Sequence, residues 1–179
     1  MLTRTLIQKL FAALNEELVK LGAKGEVGIC GGAVMCLVFQ TREATKDIDG
    51  IFEPTREIRA AGRKVAARFG ISEDWLNDAA KAYFHADPPR EGVLELSNLR
   101  VWAPSAEYML AMKCISARFD GNDRGDVQFL LRYLELPSPE AAYKIIEKYY
   151  PQNRIPAKTR FLLEEIFEGE GPLNGEKFK

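Results

Sequence analysis

The chain has 179 residues, 46% apolar and 28% charged, with a net charge of −1 at pH 7. That length makes one ordinary domain, or one domain with a helical extension, and it is enough to bury a real core. The near-neutral balance excludes bulk attraction to nucleic acid or lipid, so any polyanionic partner must be held by a local patch.

Leu2, Leu6, Ile7, Leu10, Leu14, Leu18 and Leu21 recur at helical spacing, and Gly22 stands where a C-terminal cap would be. Lys9, Glu16, Glu17 and Lys20 interrupt the apolar pattern, which argues against a signal peptide or a membrane span and for an amphipathic helix. Glu26 to Cys30 predicts a buried strand running into Gly31-Gly32, and Ala33 to Phe39 a short helix. Polar chain from Gln40 to Lys46 follows, then a second strand from Asp47 to Phe52, ended by Pro54. Thr55 predicts the cap of a helix to about Phe69, and Ser72 opens another that ends near Ala82. Two short strands, Val93 to Leu96 and Leu99 to Trp102, are joined by a tight turn at Ser97-Asn98. Beyond Ser105 the chain predicts helices at about 105–118, 123–135, 139–149 and 157–168, separated by Gly121, Pro137, Pro139 and Pro156, with a Gly- and charge-rich tail.

This order predicts an α+β fold: a small mixed β-sheet with flanking helices over 1–104, then a C-terminal helical bundle over 105–179, together one compact unit. Cys30, Cys36 and Cys114 lack metal-ligand spacing and lie in apolar surroundings, which reads as reduced core residues of a cytoplasmic protein.

The stretch GGAVMCLVFQTREATKDIDGIF, residues 31 to 52, carries the chemistry. On a strand, Asp47 and Asp49 share one face while Ile48 points to the core. Two carboxylates held side by side recruit a cation, and Mg²⁺ takes one or two carboxylates plus phosphate oxygens. Gly31-Gly32, between strand and helix, lets the backbone approach a phosphate closely. Donors for phosphate and carboxylates for the bridging metal are thus complementary. An EF-hand reading fails, because placing Gly50 at loop position six puts Thr45 at position one and Arg56 at position twelve, where ligands are required. The D-x-D-G of haloacid-dehalogenase-type phosphatases follows an apolar strand, whereas Glu43 to Lys46 precede the aspartates here.

Elsewhere, Lys113 is open to a phosphate-binding role or to an ion pair with Asp126. Arg118, Asp123, Arg124 and Asp126 read as a charged helix junction, His85 as a loop residue without partners, and Trp75 and Trp102 as core. Arg42 and Lys46, with Arg56, Arg59, Arg63 and Lys64, form the one candidate patch for RNA.

Gly31-Gly32, a short helix, Arg42, Thr45 and then Asp47-Ile48-Asp49 resemble the active-site signature of the nucleotidyltransferase superfamily with the polymerase-beta-like fold. The likeness is greatest to its minimal branch, associated with toxin–antitoxin and abortive-infection systems. Ala111 to Arg118, followed by Asn122 to Val127, is similar to that branch's second block, so the resemblance spans about 25–135. It implies Mg²⁺-dependent transfer of a nucleoside monophosphate from an NTP to a hydroxyl on an RNA, such as a tRNA end, or on a partner protein (toxin or antitoxin). Asp47 and Asp49 would be catalytic and hold the metal; Gly31, Gly32, Arg42, Thr45 and Lys113 would bind the nucleotide. Active members add a third carboxylate from a neighbouring strand, for which Glu95 is the best candidate here. A chain lacking it would instead be an inactive module of the same fold that binds a protein partner.

Overall fold

The computed structural model describes residues 1–116 and 123–170, so Arg118, the Gly121 break and almost all of the tail lie outside the described residues. Helix α1 (Arg4–Lys20) starts where the Thr3 hydroxyl accepts the Leu6 N–H. It ends in a Schellman turn: Gly22 adopts φ +64° while Gly22 and Ala23 donate to the carbonyls of Val19 and Leu18. The helix begins later than its leucine pattern implies, because Leu2-Thr3 form a strand, β1, that pairs antiparallel with β3 (Ala44–Thr45).

The main sheet is built from β2 (Gly25–Ile29), β4 (Ile48–Glu53), β5 (Leu76–Asn77), β6 (Arg90–Glu95) and β7 (Leu99–Pro104), in the order β5-β4-β2-β7-β6. It is mixed: β4 and β6 run antiparallel to their inner neighbours, while β2–β7 and β4–β5 are parallel. Register places Val27 beside Phe52 and Val101 on one face. With Ile29 and Ile48 they are buried, as are Ile7, Leu10, Phe11, Leu14 and Leu18 of α1 and Ile58, Ala61 and Val65 of α3 (Thr55–Phe69), the two helices that pack together beside the sheet. The other face of the same rows carries Glu26, Arg100 and Trp102. A Cβ on Gly28 would stand 2.2 Å from the Trp102 ring, so the indole lies on a strand position that only glycine can occupy.

The segment from Ser72 to Ala82 is not the predicted helix. It is a 3-10 turn (Glu73–Trp75), then β5, then a second 3-10 turn (Ala79–Tyr83). Local bonds compete with the helix: Ser72 Oγ accepts from Asp74 N–H and Asn77 Oδ1 from Ala79 N–H. Trp75 is buried with its indole N–H on the Gly62 carbonyl, which leaves Leu76-Asn77 extended beside Ile48-Asp49. Thr55 opens α3, yet its hydroxyl donates to the Phe52 carbonyl, so it is not a side-chain cap. The predicted hairpin forms, with Leu96 N–H donating to the Leu99 carbonyl, and β6 begins at Arg90.

By contact the chain divides into two units: Met1–Ala82 with Pro89–Pro104, and Tyr83–Pro88 with the described residues from Ser105. The second unit is helical, with α2 (Gly31–Leu37) of the first unit counted before α4 (Ala106–Ser116), α5 (Asp123–Tyr133), α6 (Pro139–Tyr149) and α7 (Ala157–Glu170). Ser138 caps α6 ahead of Pro139, an arrangement that satisfies a free N–H and needs none from proline. Buried Tyr108 exchanges hydrogen bonds with the backbone of His85, whose ring stacks on Tyr150. His85 is therefore partnered, contrary to the sequence reading. No helix among the described residues is long and apolar enough to cross a membrane.

Candidate functional site

Gly31 adopts φ +62° between β2 and α2, a conformation that L side chains rarely hold. A Cβ there would stand 3.5 Å from Asp49 Oδ2, so the glycine turn and the Asp49 carboxylate face one another. A Cβ on Gly32 would stand 2.6 Å from Thr45 Oγ1 and 3.4 Å from Arg42 Nη1. The structure thus brings Gly31, Gly32, Arg42, Thr45 and Asp49 together, five residues that are spread over the opening stretch of sequence.

Each has a local cause. Antiparallel pairing of β2 with β4 sets Cys30 against Asp49, whose carbonyl accepts both the Cys30 N–H at 2.9 Å and its thiol. Gln40, at φ +58°, turns the chain out of α2, and Thr41 ties it back through N–H and hydroxyl to the Met35 carbonyl. That turn launches Arg42 over the glycines. Thr45 is held by pairing with Leu2, and its hydroxyl donates to the Asp47 carbonyl at 3.1 Å. Asp47 itself lies in a bend one residue before β4 begins. Strand alternation therefore does not set it beside Asp49; the Thr45 hydrogen bond orders its backbone instead. Both aspartates are half-buried. Burial pushes the Cys36 thiol of α2 up, with Arg4 and Arg42 pulling the other way.

Glu95 is placed elsewhere. Register aligns Glu53, Glu26, Arg100 and Glu95 in one row across β4, β2, β7 and β6. Asp49 lies four residues along β4 from Glu53, so strand geometry separates it from Glu95 by on the order of 20 Å. The Glu95 carboxylate is exposed and ion-paired to Arg100 at 3.0 Å. It does not join the aspartates. Lys113 belongs to the second unit, where its buried ammonium meets Asp123 at 2.9 Å and Asp126 at 2.7 Å, the ion-pair reading of that residue. The RNA patch is partly neutralised, since Arg59 Nη2 donates to both carboxylate oxygens of Asp78 and Lys64 pairs with Glu17. Burial raises the Cys114 thiol to about 12, consistent with an inert core cysteine.

No family model matches the chain, and neither the curated proteins nor the solved structures provide a match.

The site must therefore be judged on its own chemistry. Among the described residues no group of three or more His, Cys, Asp and Glu side chains is arranged to hold a metal ion. A pair of carboxylates still fits Mg²⁺, because the ion keeps waters and takes its remaining ligands from substrate phosphate. The bare backbone at Gly31-Gly32 and the Arg42 guanidinium offer the phosphate side of that arrangement. A cleft of about 740 Å³ opens at the opposite end of the sheet, lined by Glu26, Glu53, Thr55, Glu95, Asn98 and Arg100. Glu26 and Glu95 are already matched to Arg90 and Arg100 there. Sequence reasoning missed Asn77, which β5 sets beside Asp49 in register. The adjacent Asn77-Asp78 pair, poor helix formers within a supposed helix, was the available signal.

Proposed function

We propose that the chain is a Mg²⁺-dependent nucleotidyltransferase, moving a nucleoside monophosphate from an NTP to a hydroxyl of an RNA or a protein, in a toxin–antitoxin or phage-defence setting. The observation that carries this reading is the approach of Asp49 Oδ2 to within 3.5 Å of the Cβ position of Gly31, with Thr45 and Arg42 against Gly32. The resemblance of these same residues to the nucleotidyltransferase signature supplies the reaction, and the nucleotidyltransferase-like form of the α+β fold is part of the proposal.

In this reading the glycine turn presents its backbone to the triphosphate, Arg42 offsets phosphate charge, and the Thr45 hydroxyl orders the Asp47 backbone. Asp47 and Asp49 would hold Mg²⁺, which when bound stabilises the charge that develops on the transferring phosphoryl group. Glu95 has no part in it, and Lys113 is engaged by Asp123 and Asp126 in the second unit.

A second reading, an inactive module of the same fold that binds a protein partner, is favoured because among the described residues no group of three or more His, Cys, Asp and Glu side chains is arranged to hold a metal ion. Thermal shifts with each NTP, with and without Mg²⁺, on the wild type and on Asp47→Asn, separate the two. A Mg²⁺-dependent rise lost in the variant, followed by label transfer to RNA or protein, supports the enzyme; no rise at millimolar NTP leaves the binding module.

A further inference from the structure

We infer that β6 pairs with the β6 of a second copy of this chain, joining two sheets across a two-fold axis. This inference is independent of the site at Asp49. The strand order ends at β6, and no strand lies on its outer side among the described residues. The other edge, β5, has only two residues, whereas β6 offers six. Arg90, Glu91, Gly92 and Glu95 are exposed, and Val93 and Leu94 half-buried.

The sequence Arg-Glu-Gly-Val-Leu-Glu is charge-complementary to itself when reversed. Antiparallel pairing centred between Gly92 and Val93 sets Arg90 of each copy opposite Glu95 of the other, an isologous contact made twice. Five residues apart on a regular strand, Arg90 and Glu95 would point to opposite faces. A β-bulge changes this. The register slips between Gly92 and Leu94, so Arg90, Gly92 and Glu95 stand opposite Pro104, Trp102 and Arg100, alternate residues of β7 and hence one face.

Side-chain contacts agree with that face. The Arg90 guanidinium lies 4.7 Å over the Trp102 ring and bonds Glu26, while Glu95 bonds Arg100. Both side chains stay accessible at the rim, 46% for Arg90 and 68% for Glu95. A partner's Arg90 would continue the alternating row Glu26, Arg100, Glu95. The competing account is that a bulge and terminal charges merely blunt an exposed edge, in which case the chain stays monomeric.

The test is sedimentation velocity on the full chain from about 5 to about 500 µM, a range set by the small area that one strand pair buries. Wild type, Arg90→Glu, Glu95→Arg and the double charge swap are compared, with circular dichroism to check folding. The wild type should show a concentration-dependent dimer. Either single reversal sets like charges opposite one another twice and should weaken it by about tenfold or more, and the double swap, which restores both pairs across the axis while placing like charges beside Glu26 and Arg100 within each sheet, should recover part of that loss. On the wild type alone, amide exchange in 90–95 should slow as concentration rises. A monomer throughout the range, single variants that dimerise like the wild type, a double swap no better than the singles, or exchange indifferent to concentration would each overturn the inference.

Discussion

At the end of the sheet where β2 turns into α2, the Asp49 carboxylate faces glycine backbone, with Arg42 and Thr45 beside it. At the other end, Glu26 and Glu95 face arginines of their own sheet, Arg90 and Arg100, and Glu26 also takes the Trp102 indole N–H. Acidic and basic side chains occur at both ends. What differs is the set of neighbours: at the first a glycine turn lies against Asp49, Thr45 and Arg42, whereas at the second the complementary charges come from adjacent strands in register. An exposed carboxylate paired within its own sheet contributes only modest stability.

The largest expected effect breaks the first end. Asp47→Asn with Asp49→Asn should lower transfer by about a thousand-fold or more, as loss of preorganised charge stabilisation does, while the urea midpoint stays put or rises. Label transfer and urea titration read the two quantities separately. Between the ends, Gly28→Ala drives a Cβ into the Trp102 ring and should cost about 3 kcal/mol, measured by denaturant unfolding. Gly32→Ala should cost about 1–2 kcal/mol, since Thr45 Oγ1 must move, and should also remove the Mg²⁺-NTP thermal shift. Stabilisation by Mg²⁺-NTP equal to wild type in that variant would sink the glycine cradle. Glu95→Gln is the smallest change, below about 0.5 kcal/mol for an exposed pair, with transfer unaffected. A collapse of transfer there would mean that the two ends do not work separately and would return Glu95 to the site.

Much of this architecture was legible before any coordinates. Alpha-helical periodicity located α1, prolines bounded α6, and the Ser97-Asn98 turn announced the β6–β7 hairpin. These features rest on interactions within a few residues of one another. The segment from Ser72 to Ala82 was not legible, because its conformation depends on the Trp75 indole reaching Gly62 and on Leu76-Asn77 finding β4. Of the candidate site, Gly31-Gly32 and the aspartates stood out by spacing, whereas Glu95 was only the best candidate for a third carboxylate, chosen because it lies between apolar neighbours on a predicted strand.

The sequence by itself determined the α+β order, the amphipathic faces and the succession of a glycine turn, a short helix and an acidic pair along the chain, since each follows from periodicity or from short-range backbone chemistry. Only the tertiary structure decided which charges meet. Strand order and register, set by long-range pairing, carried Glu95 away from Asp49 and laid Trp102 on Gly28, and the tertiary fold set Arg42 and Thr45 against Gly32.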